Sequence, residues 1–322
     1  MKLVHCAVGL VFALGGSAAL AQSPKYPSRV VRMLVGFSPG GATDIVARSI
    51  APGLTESLEQ SVVVENRPGA SSQIAGEFVA KSAPDGHTLL MVTQTLMASQ
   101  MIEKRTYPDL TKDFAAVALC ATSPLVLVVN PALPVRSLKE LIALARARPG
   151  EMNYGSGGVG TTPHLSGELL ATLARLKLVH IPYKGEGPAI IDVLAGHLPF
   201  MFTNVTASSA QVQSGKMRAL AVTGPQRTPA VPGVPTMAES GLAGFEVVGF
   251  FGVVAPAGTP REIVALLNTE IRKVLARPDI RERFMSQALE PANQTAEQFG
   301  DYLKSEAGKW GKVIRDAGIT MQ

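Results

Sequence analysis

The sequence predicts an α/β protein of two lobes, with mixed sheets flanked by helices. Three observations carry this. The chain has 322 residues, above the ~250–300 at which a single hydrophobic core stops growing. Apolar runs of strand length alternate with helical periodicity, the pattern of a parallel or mixed sheet covered by helices. One device, a strand followed by a glycine-rich loop and a helix, occurs in both halves. With 46% apolar and 17% charged residues, the composition is that of a folded chain rather than a disordered one.

The elements follow in order. Lys2 precedes an apolar stretch through Val8, Leu10, Val11, Phe12 and Leu14, and Ala19-Leu20-Ala21 supplies a small-x-small cleavage pattern, so residues 1–21 read as a secretion signal cut after Ala21. The stretch is too short to span a bilayer. Its removal takes Cys6 with it and leaves Cys120 without an intrachain partner, as suits an exported chain in the periplasm. Val30 to Val35 reads as a strand, Gly36 to Asp44 as the first glycine loop, and Ile45 to Leu58 as a helix. Val62 to Glu65 is a second strand stopped by Asn66-Arg67-Pro68-Gly69, Ile74 to Lys81 a helix, and Thr88 to Val92 a strand. Leu125 to Val129, bounded by Pro124 and Pro131, is the most continuous apolar strand, and Ser137 caps the helix after it. The pattern then restarts: strand at Met152 to Tyr154, loop at Gly155-Ser156-Gly157-Gly158-Val159-Gly160, helix from Pro163 to Leu176. Ala219 to Val222 is a strand, Phe245 to Val254 a further apolar run, and Arg261 to Ala317 mostly helix with Trp310 facing inward.

A glycine-rich turn lets backbone approach a ligand, and the free N–H groups of the helix that follows attract an anion. Two such loops facing each other would clamp a carboxylate; the glycines could also serve only their turns. Gly155, Gly157 and Gly160 fit a dinucleotide fingerprint, but no acidic residue follows about twenty positions on. Thr161 stands where a P-loop needs Lys. Gly155-Ser156-Gly157 resembles a nucleophile elbow with Tyr154 in place of Gly, and His164 and Asp192 follow Ser156 in the wrong order for that fold, so a hydrolase is the lesser alternative. His164 and Glu168 are spaced for one face of a helix, but no further ligand completes a metal site; His164 is a pocket donor or a helix-start residue. Asp44 either interacts with its helix N-terminus or contacts ligand at the mouth of the loop. The turn around Tyr183 favours a place in a pocket wall. No basic run marks a nucleic-acid groove despite the net charge of +5.

Six ordered motifs, Pro39-Gly40-Gly41-Ala42-Thr43-Asp44, Asn66-Arg67-Pro68-Gly69-Ala70, Pro84-Asp85-Gly86-His87-Thr88-Leu89, Asn153-Tyr154-Gly155-Ser156-Gly157, Ile181-Pro182-Tyr183-Lys184-Gly185 and Pro235-Thr236-Met237-Ala238-Glu239-Ser240-Gly241, resemble the substrate-binding proteins of tripartite tricarboxylate transporters, the Bordetella uptake gene family. The resemblance covers the whole mature chain. It implies a two-lobed periplasmic binding protein of type II (Venus flytrap) topology: lobe one from 22–124 plus 250–322, lobe two from 125–249. It also implies a small di- or tricarboxylate held between the lobes, delivery to a two-component membrane permease or presentation to a sensor, a monomer, and no cofactor, metal or catalysis. The family's first ligand loop falls on Phe37, Ser38, Pro39, Gly40, Gly41, Thr43 and Asp44, and its second on Ser156, Gly157, Gly160, Thr161, Thr162 and His164. Thr93, Tyr183, Asn204 and Phe250 are assigned to the far end of the ligand. Asn204 stands where the family often has Asp, which removes a partner for an ammonium group and favours a plain dicarboxylate. Phe250 and Phe251 suit an apolar or aromatic spacer.

Overall fold

A computed structural model describes residues 26–103 and 108–320; the expected signal segment and its cleavage point lie outside them. Strand β1 (Val31–Val35) is flanked by β2 (Val62–Asn66) and β3 (Thr88–Thr93), all parallel. Val30 falls outside β1 and is 43% exposed. The glycine loop after β1 leads to α1 (Ala42–Leu58), and α2 (Gln73–Ala80) and α3 (Gln94–Ile102) bracket β3.

The strand β4 (Phe114–Val129) is 16 residues long and runs straight through Pro124, where the sequence suggested a boundary. Residues 114–124 pair antiparallel with β9 (Val248–Pro256), which pairs with β3 on its other side. Leu125 to Val129 instead pair with β7 (Phe200–Asn204), and Val126 to Val129 with β8 (Arg218–Val222). Beyond β7 lie β5 (Met152–Ser156) and β6 (Leu178–Pro182), both parallel to their neighbours. The main order is β2-β1-β3-β9-β4-β7-β5-β6, with β10 (Glu290–Pro291) on the first half of β4. Pro124 is tolerated because Leu125, one residue on, changes partners and donates its N–H to the Thr223 hydroxyl instead of a ladder carbonyl.

Helices α4 (Leu138–Ala147), α5 (Thr162–Ala174), α6 (Glu186–Ala195) and α7 (Val205–Gln213) belong to the second run of strands. The C-terminal α8 (Arg261–Ala276), α9 (Pro278–Ser286) and α10 (Ala296–Asp316) return to the first. In α10, Phe299, Leu303, Trp310, Val313 and Ile314 recur on one face and are buried. Trp310 is fully buried and donates its indole N–H to Glu306, while Thr295 and Gln298 form a capping box at the start. Gly252 in β9 makes room for this helix, since a Cβ there would sit 2.2 Å from the Phe299 ring. Cys120 is buried in the sheet as a free thiol.

Candidate functional site

The C-terminal ends of five strands, or the loops after them, open onto one cleft of about 400 Å³. Each leads directly into a helix. The residues that precede those helices, Gly41 before α1, Thr93 before α3, Thr161 before α5, Gly185 before α6 and Asn204 before α7, all line the cleft. None of these five caps its helix through a side chain, whereas Ser137 and Thr295, which do cap α4 and α10, are not among the lining residues. The first-turn N–H groups at the cleft therefore have no side-chain partner from their own cap residue, and the helix dipoles add positive potential there.

The two glycine loops are shaped from behind. In the first, Asp44 is buried and turns away from the cleft: its carboxylate accepts the Gly40 N–H at 3.0 Å, Arg48 at 3.0 Å and the Asn66 amide at 2.9 Å. Burial alone would raise this carboxyl, but these donors outweigh it and hold it below the ordinary range. Asn66 also donates to the Phe37 carbonyl, which ties the second strand to the loop. Of the two open alternatives for Asp44, the geometry is that of a residue organising its own helix N-terminus. Gly40 has φ +88°, the left-handed region glycine serves, while Gly41 has φ −77°.

The second loop rests on a buried polar cluster. Ser156 is fully buried, its Oγ 2.7 Å from His180 Nε2 and accepting the Gly158 N–H. His164 Nδ1 accepts the Gly160 N–H at 3.1 Å, and its ring stacks on His180 at 3.8 Å. Burial, helped by the neighbouring His180, lowers His164 to about 3, and burial lowers His180 to about 4. Both rings are thus neutral, as an accepting Nδ1 requires. Tyr154 donates to Glu168 at 2.6 Å beneath them. Thr161 donates its hydroxyl proton to the Gly158 carbonyl, so that proton shapes the loop.

Of the residues singled out from sequence, Phe37, Gly41, Thr43, Thr93, Gly157, Thr161, Thr162, Asn204 and Phe250 line the cleft. Gly40 lines an adjoining cavity of about 290 Å³ that shares Ala42, Ser123 and Asn204 with it, and Ser38 and Pro39 are exposed on the loop. Asp44, Ser156 and His164 hold the loops from behind, and Gly160, within the second loop, is not among the lining residues. Tyr183 is turned aside to Asp192, which accepts its hydroxyl; burial and that carboxylate push the phenol up to about 12. Asp192 is therefore engaged away from Ser156, and the Ser156 hydroxyl lies out of the cleft wall.

Two side chains that pattern reasoning missed also line the cleft. Gln94, 1% exposed, has neither amide atom paired, and the Thr93 hydroxyl beside it is likewise unpaired and buried. Glu186 accepts the Asn204 amide at 2.7 Å and the Thr203 hydroxyl at 3.3 Å. Burial pushes its carboxyl above the ordinary range, against the pull of those two donors and of the Asn204 backbone N–H. Among the described residues, no set of three His, Cys, Asp or Glu is placed to hold a metal, and no helix is long and apolar enough to cross a membrane.

Residues 46–319 match the profile of the tripartite tricarboxylate transporter family receptor. The chain belongs to that family. Tripartite tricarboxylate transporter receptors are solute-binding proteins, and among relatives of this one are the UPF0065 protein of the tcbD-tcbE intergenic region of Pseudomonas sp. (strain P51), 40% identical over 95% of this chain and 92% of that one, and protein BugT of Bordetella pertussis, 37% identical over 100% and 99%. Similar solved structures include Rpa4515 of R. palustris with adipate (38% identity, TM-score 0.80, 92% of this chain and 99% of that one). The periplasmic binding protein BugD (33%, 0.77, 92% and 100%) and MatC of Rhodopseudomonas palustris with bound malate (30%, 0.76, 90% and 100%) are also similar. The α/β fold, a mixed sheet flanked by helices, is that of this receptor family's periplasmic binding proteins.

Proposed function

We propose that the protein captures a small organic carboxylate of the di- or tricarboxylate class in the periplasm and delivers it to a two-component integral membrane permease. Lobe one comprises 22–124 and 250–322, lobe two 125–249, and the ligand sits between them. The observation that carries the reading is the convergence of five helix N-termini without side-chain caps on a cleft that, among the described residues, has no Lys or Arg in its lining. Such a site binds an anion through backbone N–H groups and neutral donors. One carboxylate sits between Gly41–Thr43 and Thr161–Thr162, and the rest of the ligand runs along Phe250 and Phe251. Two of the similar structures hold small carboxylates, adipate in one and malate in the other, which supports the carboxylate reading.

Mass spectrometry of small molecules released from the purified protein, followed by calorimetry with the identified compound, tests the proposal. Recovery of a carboxylate that binds stoichiometrically and is returned unchanged supports capture. Conversion of that compound would instead favour the hydrolase alternative.

A further inference from the structure

Among the described residues, Glu186 is the only titratable side chain that lines the cleft. It sits in the first turn of α6, packed against the second glycine loop: a Cβ on Gly157 would lie 3.3 Å from Glu186 Cγ. Its carboxylate receives three protein donors, the Asn204 side-chain amide on one oxygen, the Thr203 hydroxyl on the other, and the Asn204 backbone N–H. A carboxylate offers about four lone-pair sites, so some acceptor capacity remains, and among the described residues no cation lines the cleft. Neutral Asn204 does not leave the cleft without a partner for an ammonium group, because it holds an acid in place beside it.

We propose that Glu186 is a specificity-determining residue that accepts a hydrogen bond from a hydroxyl or ammonium group on the ligand, so that the ligand class is a hydroxy- or amino-substituted carboxylate rather than a bare one. The inference rests on the carboxylate reading of the cleft. A bare dicarboxylate brings no donor to the acceptor capacity that remains on this acid. A substituent that donates fills it. The unpaired Gln94 amide presents both a donor and an acceptor in the same cleft, which suits a ligand carrying both kinds of group.

The test uses two series of linear dicarboxylates, of four and six carbons, each bare, 2-hydroxylated and 2-aminated: succinate, malate and aspartate, and adipate, 2-hydroxyadipate and 2-aminoadipate. Affinities are measured by calorimetry at neutral pH for the wild type, Glu186→Gln and Glu186→Ala, after thermal melts establish that each variant folds. In at least one series the hydroxylated or aminated member should bind the wild type about ten- to hundredfold more tightly than the bare one. Glu186→Gln keeps the shape and removes the charge, so the amino preference should collapse while succinate or adipate binds as well as before or better. Glu186→Ala should compress both preferences. Tighter binding of the bare acid to the wild type, or preferences unmoved in both variants, overturns the inference alone. Binding of no compound to any of the three proteins overturns the carboxylate reading and this inference together.

Discussion

Gln94 shows how a residue lining the proposed binding cleft can work against stability. A buried amide with neither atom paired costs on the order of 1–3 kcal/mol, and Gln94 carries that cost in the ligand-free fold. Gln94→Met, close in volume and apolar, should therefore raise ligand-free stability by about 1 kcal/mol while weakening ligand binding by about tenfold. Urea denaturation without ligand and calorimetry with it check the two halves, and a variant less stable than wild type would contradict the argument. No periodicity or motif separates Gln94 from the polar residues around it; only the burial of the strand end before it gives it meaning. The converse holds for Asp44, Ser156 and His164. Residue type singled them out as reactive or ligand-binding, but their hydrogen bonds turn back onto Gly40, Gly158 and Gly160, which only coordinates could show.

At the level of elements, the second glycine loop combines close backbone approach with a neutral histidine pair. A Cβ on Gly157 would lie 3.1 Å from Glu186 N and 3.2 Å from the Gly185 carbonyl carbon, atoms that move only if α6 moves. Gly157→Ala should thus shift the loop against α6 and weaken ligand binding about tenfold or more with modest loss of stability, measured by calorimetry and melting. Behind the loop, His164 and His180 have folded-state values depressed to about 3 and about 4 by burial. The unfolded chain takes up their protons first, so their contribution is complete above the unfolded value of ~6.5 and is lost as pH falls below it. Between pH 7 and pH 5 the pair should account for roughly 2–4 kcal/mol of lost stability, opposed by Glu168 and Glu186, whose raised carboxyls favour the fold on acidification. Denaturation at the two pH values should show a shallower dependence in His180→Gln than in wild type. The repeated strand, loop and helix were legible in sequence because glycines and 3.6-residue periodicity mark them. The first half of β4 was not: Ala115, Ala116, Ala118, Ala121, Thr122 and Ser123 neither alternate nor form a bulky apolar run, and the pairing with β9 that makes them a strand comes from far along the chain.

The whole molecule turns on the place where the chain passes between the two proposed lobes, at Ser123 to Leu125 and again over Val247 to Phe250. Thr223 lies between these passages, fully buried, and all four of its polar functions are engaged there. Its N–H donates to the Leu125 carbonyl and its carbonyl accepts the Val247 N–H, while its hydroxyl accepts the Leu125 N–H at 2.8 Å and donates to the Val247 carbonyl at 2.6 Å. Crossing by paired strands rather than a loose linker confines relative motion of the lobes to a few dihedrals near this residue, the geometry of a hinge. Thr223→Val keeps the volume and the backbone bonds but leaves the Leu125 N–H and the Val247 carbonyl without the hydroxyl. Two buried groups left unpaired should cost about 2–4 kcal/mol, or a fall of roughly 5–10 °C in melting temperature. The same change should loosen the hinge. Small-angle scattering of the wild type should show a smaller radius of gyration with a bound carboxylate than without, and the ligand-free variant should be more expanded than the ligand-free wild type. A variant that melts with wild type and scatters identically would show that backbone pairing alone sets the hinge. A wild type whose scattering is unchanged by a ligand of confirmed affinity would mean that capture proceeds without closure.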